Sequence, residues 1–161
     1  MITMLVLTEE TLTPHDIERL VGLHAPDPVT AHVVVPSGTD QSTLEQIVDD
    51  LTRTDFDELA DDVDPVQPGE IEKAQRAQRR LTDSVQALVA AGMAATGSLV
   101  PQNPVDATAA LAAAEDVDEI IVITEPHLIT DVLRRDWATK LRHTVKRPVL
   151  HFIAGTDQIV S

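Results

Sequence analysis

The side chains able to do chemistry in this chain are carboxylates and imidazoles. Its 161 residues include 27 Asp or Glu and six His, but no Cys and no Tyr. The lack of Cys removes disulfides, thiolate zinc sites and cysteine nucleophiles together. No two His stand at H-x-x-x-H or H-E-x-x-H spacing, so no metal site is expected. Ser98 follows Gly97 but sits between that Gly and Leu99, without a Gly-x-Ser-x-Gly elbow. The acids Asp49, Asp50, Asp55, Asp57, Glu58, Asp61, Asp62 and Asp64 form a run that lacks the alternating ligands, central Gly and closing Glu of a calcium loop. A solvated helix face or insert is the expected reading of that run.

Two further groups have chemistry open to them. Thr8, Glu9 and Glu10 follow one apolar run, and Thr124, Glu125 and His127 follow another. An imidazole facing carboxylates can act as a general base or bind a metal. The alternative is that the Glu residues solvate loops and His127 is a surface imidazole. The second group is basic: Arg134, Arg135, Lys140, Arg142, Lys146 and Arg147, with Asp136 the only acid among residues 134–147, a net +5. It suits a small anion, an acidic partner or the chain's own acidic run, although cations at a helix C-terminus also complement the helix dipole. Trp137 shares a helical stripe with Leu133 and Leu141 and is expected to pack against a sheet.

The elements that must position these groups alternate regularly. Met4 to Leu7 is a short continuous apolar run, as in a strand buried on both faces. Thr13-Pro14-His15-Asp16 opens a helix, with Thr13 as N-cap and Pro14 at its first position. Ile17, Leu20, Val21 and His24 follow at helical spacing, and Pro26 and Pro28 close the segment. Ala31 to Val35 is a second strand, stopped by Pro36-Ser37-Gly38. Leu44, Ile47, Val48 and Leu51 mark a helix within an acidic insert spanning about 38–68. A long helix then carries Ile71, Ala74, Leu81, Val85, Leu88 and Val89 on one face, with Lys73, Arg76, Arg79 and Arg80 near its start. Thr96 to Val100, Glu119 to Thr124 and Pro148 to Ile153 are further strands. A helix over Pro104 to Ala114 and one capped by Thr130 or Asp131 separate them. This β-α-β alternation argues one α/β domain over 1–161, a doubly wound parallel sheet of five strands with helices on both faces.

Composition excludes several partners. Aromatic residues are 2% of the chain, too few for base-stacking platforms. Twelve Lys or Arg against 27 Asp or Glu give a net charge of −15, which disfavours nucleic acid and anionic membranes. No apolar run approaches the roughly 20 residues of a membrane span. The N-terminus lacks the basic start of a signal peptide, so a cytoplasmic location is expected. The charge is unevenly spread: residues 1–69 hold 15 acids and 2 bases (−13), whereas residues 70–161 hold 12 acids and 10 bases (−2). Pairing between the two regions, within one chain or across a dimer, is therefore expected.

Several segments resemble the universal stress protein superfamily, which belongs with the adenine nucleotide α-hydrolase-like α/β domains. Val100-Pro-Gln-Asn-Pro-Val-Asp-Ala107 is similar to the family's V-x-G-D-P-x-x-A bend. Glu119-Ile-Ile-Val-Ile-Thr124 is similar to its fourth strand, and Lys146-Arg-Pro-Val-Leu-His151 to the x-x-P-V-x-V of its last. Thr124-Glu-Pro-His127 and Leu133-Arg-Arg-Asp-Trp137 resemble a divergent actinobacterial subgroup. The resemblance implies strand order 3-2-1-4-5 and a crevice between the first and fourth strands, rimmed by Thr8, Glu9, Glu10, Thr124, Glu125 and His127.

The family's ATP motif, G-x2-G-x9-G-[ST], does not carry over. Its positions fall on Thr124, His127, Trp137 and Ala138, and no Gly lies between Gly97 and Gly155. Backbone cradles for phosphate favour Gly, so no ATP cofactor of the family type is expected. The leading expectation is a non-catalytic, stress-related or regulatory domain. One alternative is a module that binds AMP or another small anion through helix N-termini and Arg134 and Arg135; another is a metal-assisted hydrolase at the crevice. A homodimer through Pro148 to Ile153 is also expected. That strand is apolar on both faces, and exposed sheet edges tend to be paired or covered.

Overall fold

A computed structural model of the chain describes residues 2–52, 68–125 and 132–160. The elements run β1 (Ile2–Thr8), α1 (Pro14–Gly22), β2 (Val29–Pro36), α2 (Gln41–Thr52), α3 (Pro68–Ala90), β3 (Ala94–Val100), α4 (Val105–Ala114), β4 (Glu119–Thr124), α5 (Val132–Thr144), β5 (Val149–Ile153) and β6 (Ile159–Val160). The sheet order is β3-β2-β1-β4-β5-β6. The first five strands in that order are parallel, as the βαβ pattern requires. The acidic insert resolves into α2, whose Leu44 and Ile47 are buried, and residues 53–67, which lie outside the described residues.

Alternation along the strands makes two cores. Met4, Val6, Val33, Val35, Ile121, Ile123 and Phe152 point to one face, where Ile17 and Leu20 of α1 and Ala77, Leu81 and Leu88 of α3 cover them. Leu5, Leu7, Val34, Ile120, Val122 and Val149 point to the other, against Val105 and Ala112 of α4 and Trp137, Ala138 and Leu141 of α5. β1 and β4 form the central pair, and Met4, Leu5, Val6, Leu7, Ile120, Ile121 and Val122 are fully buried. Each such side chain contributes about 1.5–3 kcal/mol of transfer free energy.

Helix starts are fixed by side chains. At α1 the Asp16 amide donates to Thr13 Oγ1 at 3.1 Å while the Thr13 amide donates to Asp16 Oδ2 at 3.1 Å, a complete capping box. At α2 the Thr43 amide donates to Asp40 Oδ1 at 2.7 Å. That bond, with help from the side chains of Thr43 and Ser42 and against a small desolvation effect, holds the Asp40 carboxyl below its ordinary range.

The structure changes one premise of the expected dimer. β5 is not the outermost strand, because β6 folds back antiparallel along it, pairing His151 with Val160 and Phe152 with Ile159. The turn between them is fastened to α1. Asp16 Oδ1 accepts the Gly155 amide at 2.9 Å. The Arg19 guanidinium stacks on the Phe152 ring, 3.6 Å from its centroid, and donates to the carbonyls of Thr156 at 2.8 Å and Asp157 at 3.0 Å. A two-residue strand carries too little pattern to be read from sequence, so the apolar faces of β5 do not by themselves say whether its edge is covered by a second chain or by the chain's own end.

Candidate functional site

In a parallel sheet, ligands bind beyond the carboxyl ends of the strands where the order reverses. Here the chain leaves β1 and turns toward α1, while β2 lies on one side of β1 and β4 on the other. The Glu9 amide donates to the Ile123 carbonyl at 3.3 Å, continuing the β1–β4 ladder by one step. The Thr8 hydroxyl donates to the Glu10 carbonyl at 2.7 Å, which turns the chain sharply at the strand end. Glu10 Oε2 pairs with Arg80 Nε at 3.0 Å, and the buried Leu12 amide donates to Ser84 Oγ at 3.1 Å. Arg80 and Ser84 stand one turn apart on α3, so the loop after β1 is held to that helix at two heights.

The exit of β2 is fixed in the same manner. The Ser37 amide donates to the Val100 carbonyl at 2.8 Å, and the Gln102 amide donates to the Thr39 carbonyl at 2.7 Å. The Ser37 and Thr39 hydroxyls bond each other at 2.9 Å. Between them Gly38 has φ +79, a left-handed conformation that Gly adopts without strain, and the stem of Lys73 lies 3.5 Å from where a Cβ would stand.

These loops, the first half of α3 and the middle of α5 enclose a cavity of about 770 Å³. It is lined by Glu9, Glu10, Pro36, Ser37, Gly38, Gln102 and Asn103 from the strand ends. Lys73, Arg76 and Arg80 from α3 and Trp137 and Lys140 from α5 complete it. Among the described residues, four cations therefore meet two carboxylates here, in a chain of net charge −15. Lys73, Arg76 and Arg80 follow i, i+3, i+7 spacing, which puts them on one side of α3. The residues supply charge complementarity for an anion, with the mostly buried Trp137 side chain beside it. Among the described residues no group of three or more His, Asp or Glu could hold a metal ion.

The structure distributes the eight residues named from sequence unevenly. Glu9 and Glu10 line the cavity. Thr8 and Thr124 are buried beneath it, 2% and 4% exposed, and Thr124 Oγ1 bonds His151 Nε2 at 2.8 Å. Glu125 follows β4 outside the lining. His127 lies outside the described residues; Arg134 and Arg135 belong to α5, with side chains outside that description. Trp137 both packs into the core, as its stripe implied, and faces the cavity. Lys140 belongs to the basic group that the sequence suits to a small anion, whereas Lys73, Arg76 and Arg80 are not among the candidate site residues read from sequence. For Lys73, Arg76 and Arg80 the signal is the basic spacing at the start of α3, and its meaning depends on that helix reaching the crevice after the insert. Of the expected pairing between the acidic and near-neutral regions, Glu10–Arg80 is an instance.

No protein-family model matches the sequence, and no curated protein sequence matches it significantly. Solved structures do match. Hypothetical protein MJ0577 superposes with a TM-score of 0.60 at 13% identity, over 97% of this chain and 97% of that one. The universal stress protein from Archaeoglobus fulgidus in complex with dAMP superposes with a TM-score of 0.50 at 14% identity, over 94% of this chain and 97% of that one. With the five parallel strands in the order 3-2-1-4-5 and helices on both faces, the chain has the fold of the universal stress proteins.

Proposed function

We propose that the protein is a non-catalytic, universal stress protein-like domain that binds a small phosphate-bearing ligand of the nucleotide class, with a stress-related or regulatory role in the cytoplasm. The observation carrying this reading is the convergence of Lys73, Arg76, Arg80 and Lys140 on the cavity beyond β1 and β2. A strongly acidic chain gathers cations in one concave place only at an electrostatic cost, and an anion offsets that cost. A protein of the same fold holds dAMP, which supports the ligand class. The manner of binding differs from a glycine cradle. With no Gly between Gly97 and Gly155, charged side chains on α3 and α5 do the holding, in place of backbone amides after β4. Where two copies associate, the contact runs along the outer edge of β6, since β6 occupies the edge of β5.

The test is thermal unfolding of the purified chain against increasing adenine nucleotide. Saturable stabilisation is expected, about 2.7 kcal/mol at a hundred times Kd. An unfolding midpoint that stays fixed up to millimolar nucleotide and phosphate esters refutes the reading.

A further inference from the structure

The cavity's cations are not equivalent. Lys73 Nζ already holds Glu70 Oε1 at 3.1 Å, and Arg80 holds Glu10 at 3.0 Å. Arg76 on α3 and Lys140 on α5 line the same cavity and have no ion-pair partner among the described residues. Among the described residues, the four cations stand against three carboxylates once the Glu70 partner of Lys73 is included, and Arg76 and Lys140 are the two cations outside these ion pairs. The negative side is fixed as firmly. Glu9 is 8% exposed at the floor, and Glu10 is tethered through Arg80 and through the Thr8 hydroxyl on its carbonyl.

We infer that this cavity takes a phosphomonoester dianion, held by Arg76 and Lys140, and selects it over a triphosphate. The inference rests on the phosphate-binding reading above and narrows it to a charge class. A phosphomonoester carries about −1.5 to −2 at pH 7, a charge that two cations from different helices, Arg76 and Lys140, can oppose together. A triphosphate brings two further phosphoryl groups into a space whose other cations are already paired. Each must displace Glu70 or Glu10 from its partner, or face the carboxylates of Glu9 and Glu10 directly. The selectivity therefore comes from built-in repulsion as much as from attraction. Arg76 suits the phosphoryl oxygens because its guanidinium can donate two parallel hydrogen bonds, and Lys140 adds a point charge from another helix.

Trp137 provides the measurement, as it is the single Trp in a chain without Tyr and it lines the cavity. The intact chain is titrated with AMP, ribose 5-phosphate and ATP in chelator at fixed ionic strength, with Trp137 emission and calorimetry as readouts. At least one monoester is expected to bind about tenfold or more tighter than ATP. Arg76→Ala and Lys140→Ala should each weaken that monoester about tenfold, whereas Arg79→Ala, exposed on the same helix and outside the lining, should not. Glu10→Gln should bring ATP closer to the monoester. ATP binding as tightly as the monoesters overturns the dianion assignment and leaves the phosphate-binding reading intact. A monoester that binds unaffected by both Arg76→Ala and Lys140→Ala overturns the assignment of those residues. Failure of all three compounds to bind overturns both readings together.

Discussion

At one side of the sheet β3 presents seven residues, Ala94–Val100, with no charged side chain and most of them partly or fully exposed. At the other, β5 is largely buried and its outer edge is taken up by β6. The first edge is packed most closely on the face toward α3. Leu81 and Val85 of α3 press so closely on Gly97 that an added Cβ would stand 2.4 Å from Leu81 Cδ1. The second is stabilised along the strand direction by polar groups of α1, with Asp16, Arg19 and His15 all reaching residues 155–157. Edge strands are managed here in two ways, by tight packing of a helix over a small-residue strand and by a hydrogen-bonded turn that brings the chain's own end back.

Three substitutions test that contrast. Asp16→Ala should be the most damaging. Asp16 is 2% exposed, serves the capping box and accepts the Gly155 amide, so its loss removes a cap and takes the acceptor from two part-buried amides, those of Thr13 and Gly155. A cost of about 3 kcal/mol in urea unfolding is expected. Amide exchange should quicken at 153–160 more than at 94–100. Gly97→Val should cost about 2 kcal/mol by overpacking against α3, with the opposite exchange pattern. Arg19→Ala should cost about 1 kcal/mol, from the lost stacking on Phe152 and the freed carbonyls of the turn. If Asp16→Ala and Gly97→Val disturb both edges alike, the two are not independent and the contrast fails.

How much of this was legible in the sequence depended on the range of the signal. β1, β4 and the α1 cap are local patterns: Met4–Leu7, Glu119–Thr124 and Thr13-x-x-Asp16 each declare themselves within a few residues. The sheet order came through resemblance, and the structure carries it. The cavity's cations on α3 do not declare themselves, because a basic stripe on an amphipathic helix looks the same whether it faces solvent or a crevice. What decided the matter for Lys73, Arg76 and Arg80 was the position of α3 against the exits of β1 and β2. That position follows from tertiary contacts such as Ser84 to Leu12 and the Lys73 stem against Gly38. Carboxylates at a strand end, by contrast, point to the crevice from connectivity alone, and Glu9 and Glu10 do line it.

The double attachment of the β1 exit loop to α3, by Arg80 to Glu10 and by Ser84 to Leu12, also bears on the entropy of recognition. The side chains and backbone of that rim are ordered when the chain folds, so an arriving ligand loses little further freedom on the protein's behalf. By the same linkage, a ligand that grips α3 also restrains the loop leading into α1, and through Asp16 and Arg19 the turn that closes the far edge of the sheet. Occupancy of the crevice should thus be felt as stiffness at the opposite end of the chain.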